Sequence, residues 1–226
     1  CAACQLAKQT RQGAGVRTTV PVPETLDELT RNKLEPGQTV SIDQYMSATH
    51  GRLAHTKGKE AKSKKYTGGI LFIDHATQYI HCRHKVLLRV GEPLKAKNDF
   101  KRFAKESGRT IKNYHADNAP FRAAEFVQDC TKKGQTIHYS GVGAHHQNGV
   151  AEWSIQTATT WARAMMLHSI IHWPAEARPD LWPMALDQAI YLWKNIPQRG
   201  TRMSPTELFT ETKFSNYNHL QRAHVW

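Results

Sequence analysis

The chain has 226 residues and 25.7 kDa, enough for one domain with a real core plus extensions. Lys and Arg number 31 against 19 Asp and Glu, a formal +12 with a pI near 9.7, which makes polyanions the first partners to consider, through phosphate contacts. A hydrophobic content of 39% argues against a disordered chain, no apolar run approaches the roughly 18 residues of a membrane-spanning helix, and no secretory leader pattern is present.

The four cysteines are Cys1, Cys4, Cys82 and Cys130, and only the first two are close in sequence. That is no secreted disulfide framework, so an intracellular, reducing setting is expected. Because the sequence starts at Cys1 and not at Met, a larger parent protein is expected. Residues 1–12 place a C-x-x-C at the edge, a spacing that suits two thiolate ligands of tetrahedral zinc. Two further ligands are required and none is near, so a zinc half site and a pair of surface cysteines stand level. Residues 13–37, with Gly13, Gly15, Pro21, Pro23 and Pro36, read as a linker holding at most a short helix begun by Thr25.

QTVSIDQYMS (38–47) alternates Val40 and Ile42 with Ser41 and Asp43, the period of a strand. The cationic run 52–66, which includes Lys62, Lys64 and Lys65, is either a solvated loop or a grip on a nucleic-acid backbone. GGILFIDHAT (68–77) and QYIHCRHKVLL (78–88) make two more strands with a hairpin break at His75-Ala76-Thr77. Residues 91–107 turn helical, with Ala96, Phe100, Phe103 and Ala104 as the buried stripe and Gly108 as the stop.

TIKNYHAD (110–117) is the fourth strand, 123–134 a short helix, and TIHYSG (136–141) the fifth strand. After a Gly- and His-rich loop (141–149), a helix runs from Val150 to about Ser169. Its apolar stripe is Ala151, Ile155, Ala158, Ala162 and Met165; Glu152, Gln156, Thr159 and Arg163 lie opposite. A further helix covers 181–197, and Ser204-Pro205 opens a short one. This order predicts an α/β fold, a mixed five-stranded sheet flanked by helices.

Three acids stand at telling places: Asp43 in the first strand, Asp117 ending the fourth and Glu152 opening the long helix. Mg²⁺ takes few protein carboxylates and leaves positions for phosphates and water, so three such acids near one another suit metal-dependent phosphoryl chemistry. An isolated Asp at a strand end is often a turn former, and Asp74, Asp129 and Asp187 are read that way.

At these residues the sequence resembles the integrase of copia-type long-terminal-repeat retrotransposons, over nearly its whole length. VSIDQYM is similar to the family's first catalytic strand, the stretch ending NYHADNAPF to its second acid, and HHQNGVAE to its loop and third acid; SPTELFT and NHLQRAHVW resemble the segment beyond the core. The resemblance implies an RNase H-like fold and DNA strand transfer, in which a 3′-hydroxyl of element cDNA attacks target DNA. It implies Asp43, Asp117 and Glu152 as catalytic ligands of Mg²⁺ (or Mn²⁺) in a two-metal mechanism that needs no nucleophilic side chain. It further implies that Cys1 and Cys4 are half of a His-His-Cys-Cys zinc site, so that Zn²⁺ belongs only to the complete N-terminal domain.

On that resemblance the domains are a zinc-module remnant (1–12), a linker (13–37), the catalytic core (38–200) and a truncated post-core segment (201–226). The DNA-binding set is Lys62, Lys64, Lys65, His146, Gln147, Asn148, Gln156 and Arg163. The implied partners are element and target DNA and further copies of the chain, with no membrane, and the implied place of action is the nucleus after a cytoplasmic particle stage.

The sequence also departs from the family. Between Asp117 and Glu152 lie 34 residues, one fewer than usual, and Ala119-Pro120 stand where Gly is common. The helix lacks cations after its Glu, carrying Trp153, Ser154, Ile155, Gln156 and Thr159. Two alternatives therefore accompany the active integrase: a catalytically silent DNA-binding or assembly module, and an RNase H-like nuclease.

Overall fold

The computed structural model describes residues 1–8, 34–53, 65–87, 91–117, 121–140, 149–217 and 220. A helix, α1 (Ala2–Ala7), precedes strands β1 (Thr39–Gly51), β2 (Tyr66–Asp74) and β3 (Ile80–Lys85). Then come α2 (Glu92–Glu106), β4 (Asn113–Ala116), α3 (Ala124–Lys132), β5 (Thr136–Tyr139) and α4 (Gly149–His172). A 3₁₀ turn (Pro179–Leu181) leads to α5 (Trp182–Asn195) and α6 (Pro205–Thr210). The five strands make one mixed sheet in the order β3-β2-β1-β4-β5, with β1–β2–β3 antiparallel and β1–β4–β5 parallel. This is the expected α/β architecture, with β1 running on to Gly51 and β4 reduced to Asn113–Ala116. No helix among the described residues is long and apolar enough to cross a membrane.

Strand alternation divides the core in two. Val40, Ile42, Ile70, Phe72, Tyr114 and Ala116 point to one side, where Ala96, Phe100 and Ala104 of α2 and Phe126 of α3 meet them. Tyr45, Leu71, Ile73 and Ile80 point to the other, beneath Ala151, Ala158 and Ala162 of α4 and Leu186, Ala189 and Ile190 of α5. Small residues on α4 let this long helix lie close to the sheet.

The hairpin between β2 and β3 is held by Asp74, whose carboxylate accepts from the Gly37 N–H (2.8 Å), the Thr77 N–H (2.9 Å) and the Thr77 hydroxyl (2.7 Å). Asp74 is thus the turn residue expected. Asp129 and Asp187 are not: both lie inside helices, and each is paired across elements, Asp129 with Lys97 (2.8 Å) and Asp187 with His84 (2.9 Å). The buried stripe of α2 also includes Lys97, which is fully buried and stands over the rings of Tyr114 (5.3 Å) and Phe126 (5.1 Å). Phe103, expected in that stripe, is only half-buried and stacks on Tyr79 (5.2 Å) and Phe209 (5.8 Å).

Ser204 caps α6 in a capping box with Glu207, as Ser204-Pro205 predicts. Burial of Glu207 opposes its ionisation. Hydrogen bonds from the Ser204 backbone, the Tyr217 hydroxyl and the Phe214 backbone outweigh it and hold the carboxyl at about 2. These bonds fasten the stretch after α6 to the body of the domain, as does Phe209 in the aromatic stack.

Candidate functional site

β1 and β4 run parallel, and their ladder ends with Ile42 opposite Ala116. Asp43 is the next residue on β1 and Asp117 the first residue past β4, so their backbones leave the ladder one strand spacing apart, about 4.8 Å. Ile42 and Ala116 belong to the α2–α3 side of the core, so by alternation the two acids face α4. Glu152 lies in the first turn of α4, exposed, between the buried Ala151 and Ser154 that seat this end of the helix. Asp43 and Asp117 are half-buried, and the Asp43 carboxylate accepts from the Gln44 N–H at 2.7 Å.

All three acids therefore belong to the same side of the sheet. Asp43 and Asp117 follow paired residues of neighbouring strands, while Glu152 lies exposed on the first turn of the helix. They are not drawn into one tight cluster: among the described residues, the group of three whose ligand atoms all lie within 4.8 Å of one another is Cys82, His84 and Asp187. A carboxylate within β1, one just past β4 and one on the first turn of α4 suit a hard divalent cation by donor chemistry.

The layer beneath the carboxylates is polar. The Ser41 hydroxyl meets His75 Nε2 at 2.7 Å, and Ser140 meets His115 Nε2 at 3.3 Å. Ser41 is opposite His115 in the ladder, so this layer spans β1, β4 and the β2–β3 turn. Burial, and then the charge of His115, lower the pKa of His75 to about 4. A neutral imidazole at pH 7 adds no charge under the site.

Of the other predicted residues, Cys1 is the N-cap of α1 and accepts from the Cys4 N–H; the two exposed sulfurs are 3.2 Å apart. Gln156 is exposed on α4, one turn beyond Glu152. Arg163 is two turns further along, where α1 packs on α4, with Nη1 3.5 Å from the Ala7 carbonyl. Lys65 lies just before β2 and is half-buried. Lys62, Lys64, His146, Gln147 and Asn148 lie outside the described residues.

Sequence reasoning missed a second polar group on the same sheet face. Two rows of residues cross the sheet there, Asp43–Leu71–Cys82 and Tyr45–Gly69–His84. Gly69 has no Cβ because one would collide with the Tyr45 ring. The Tyr45 hydroxyl thereby reaches over Gly69 to His84 Nδ1 (2.5 Å) and Cys82 Sγ (3.4 Å), and His84 Nε2 meets Asp187 of α5 at 2.9 Å. Burial, then the charge of Cys82, pushes the Tyr45 hydroxyl far above its usual range, and burial pushes the Cys82 thiol up to about 12. The one sequence signal was Cys82 and His84 at strand spacing; Asp187 is too remote in sequence to associate with them.

A mixed five-stranded sheet in the order β3-β2-β1-β4-β5 with helices on both faces defines an RNase H-like α/β fold. Solved structures carry the same fold. The integrase catalytic core domain of HTLV-2 in complex with magnesium, in its trimeric form, matches with a TM-score of 0.51 and 16% identity, covering 78% of this chain and 98% of that one. The catalytic core domain of BIV integrase matches at 0.51 and 13% identity, covering 82% and 99%. A chain of the simian T-cell lymphotropic virus intasome in complex with PP2A regulatory subunit B56 gamma matches at 0.56 and 14%; 81% of this chain aligns, spanning 58% of that chain's length. No family model and no curated protein sequence matches the chain.

Proposed function

We propose that the chain is the catalytic core of a retrotransposon integrase of the copia type, joining element cDNA 3′ ends to target DNA. The observation that supports this reading is that Asp43 and Asp117 directly follow the paired residues Ile42 and Ala116 of parallel neighbours, with Glu152 on the first turn of α4 on the α4–α5 side of the sheet. Asp43, Asp117 and Glu152 would hold Mg²⁺ or Mn²⁺, which supplies Lewis-acid stabilisation of charge on phosphate oxygens. The protein's own task is then to fix the carboxylates in position and to hold DNA against them. A DNA hydroxyl is the attacking group, so no side-chain nucleophile is required. The formal +12 supports DNA as the partner, and two DNA ends acting together call for more than one copy of the chain. Action on chromosomal DNA would place the protein in the nucleus.

The test is a Mg²⁺- or Mn²⁺-dependent strand-transfer assay comparing the chain with its Asp117→Asn variant. Joining should fall roughly 10²-fold or more while thermal unfolding is little changed. Joining that survives Asp117→Asn intact would refute the assignment. The silent-module reading draws support from α4, where Trp153 and Gln156 are exposed next to Glu152 and no cation stands among them. It expects salt-sensitive DNA binding with no joining by either protein.

A further inference from the structure

We propose a second metal site, for Zn²⁺ or a similar borderline transition ion, made by Cys82 and His84 of β3 and Asp187 of α5. One ligand atom from each of the three lies within 4.8 Å of the other two. A sulfur, an imidazole nitrogen and a carboxylate oxygen form a donor set for Zn²⁺ or Co²⁺ and a poor one for Mg²⁺. The site is separate from the proposed catalytic carboxylates. Cys82 is two strands from Asp43 in the same cross-sheet row, about 10 Å between backbones.

The surroundings are those of a built ligand set. Cys82 and His84 are two apart on one strand and so share a face, while Asp187 approaches from the helix above. His84 is boxed by aromatic rings, Tyr66 at 5.0 Å, Trp182 at 5.5 Å and Tyr45 at 6.2 Å, which fix the plane of the imidazole. The ion binds at the Nε2 edge of His84, the edge that faces Asp187. Nδ1–H then donates to the Tyr45 oxygen, and the Tyr45 hydroxyl donates to the Cys82 sulfur, along contacts of 2.5 and 3.4 Å. This support orients both ligands from behind. Coordination releases the thiol proton of Cys82 to solvent and leaves the imidazole neutral, its ring proton moved to Nδ1.

Three protein ligands leave a fourth position for water. A groove of about 490 Å³, lined by Cys82, Asp187, Gln188, Tyr191 and Lys194, opens there. The Lys194 ammonium, which lines this groove, stands 5.5 Å over the Tyr79 ring and so has a partner of its own. The ion would clip edge strand β3 to α5.

Cobalt titration tests this. The chain is used with Cys1→Ser and Cys4→Ser, which removes the other thiol pair able to take the ion. One equivalent of Co²⁺ should produce a thiolate-to-cobalt charge-transfer band, and Zn²⁺ should displace it while Mg²⁺ does not. Cys82→Ser should abolish the band. Asp187 is exposed, so Asp187→Asn should fold and weaken cobalt affinity at least about tenfold; Tyr45→Phe should weaken it by about 10- to 100-fold. A chain that gives no band, or a band and affinity unmoved by Cys82→Ser and Asp187→Asn, would overturn the proposal. Strand transfer is not read in this experiment, so its outcome is independent of the catalytic assignment.

Discussion

The two faces of the sheet are cut from the same strands and differ in almost everything else. On the α2–α3 face, Val40, Ile42, Ile70, Phe72 and Ala116 make a dry layer, with Phe72 stacked on Phe100 at 5.0 Å. On the α4–α5 face the residues between them are Ser41, Asp43 and Tyr45, followed across the sheet by Cys82 and His84. Both faces bury apolar side chains, and the α4–α5 face also carries Asp43, Cys82 and His84. The helices are matched to this. α2 brings Phe100 to fill volume, whereas α4 brings alanines that keep it thin and leave room at its first turn for Glu152. Polar groups on the α4–α5 face, such as the Ser41–His75 pair, add little net stability even when hydrogen-bonded, so the apolar layers on both faces supply it.

The sharpest way to break this division is Phe100→Ala. The ring is fully buried among Phe72, His81 and Phe209, so its removal leaves a cavity and should cost about 3–5 kcal/mol in urea unfolding. Joining activity per folded molecule should be unchanged. A loss of activity larger than the loss of folded protein would mean that the two faces are coupled.

Acid separates the faces more gently. His75 lies under the carboxylates and His81 among the rings of Phe100 and Phe103, and the pKa of each is lowered to about 4, mainly by burial. Charge adds to this, from His115 beside His75 and from Lys194 and Arg83 near His81. A folded pKa below the ordinary 6.5 means that the unfolded chain takes up the proton more readily between these values. The stabilisation is therefore complete above about pH 6.5 and is lost as pH falls toward 4. For buried His75 the loss is on the order of 3 kcal/mol, and for the less buried His81 it is smaller. Urea unfolding at pH 7 and pH 4.5 checks this. His75→Gln should flatten the pH dependence more than His81→Gln does, and equal slopes for all three proteins would contradict it.

The sequence made the face assignment of β1 legible, because V-S-I-D-Q-Y alternates cleanly and a one-residue error would put Asp43 in the aromatic layer. The same holds for HA at the end of β4, where Ala116 pairs with Ile42 just before the two acids. The apolar stripes of α2 and α4 also survive in the fold. What stayed hidden depends on partners remote in the chain. Asp129 and Asp187 read as turn formers until α3 sets one beside the buried Lys97 and α5 crosses β3 to set the other beside His84. The helix at Ala2–Ala7 packs on α4 with Ala3 and Ala7 buried, too short a pattern to recognise alone.

Lys97 offers the smallest effect and the finest test of the dry face. Its ammonium is fully buried, 2.8 Å from Asp129 and 3.0 Å from Cys130 Sγ, between two aromatic rings. Removing one partner of a buried ion pair usually strands the other charge. Here Asp129 is partly exposed and keeps Lys133 at 2.7 Å, so Lys97→Met strands nothing and returns an apolar side chain of similar length to an aromatic slot. The unfolding free energy should change by no more than about 1 kcal/mol. If Lys97→Met instead costs several kcal/mol, the α2–α3 face is held by a specific charge pair as well as by burial. The contrast between a dry face and a chemical one would then be a matter of degree.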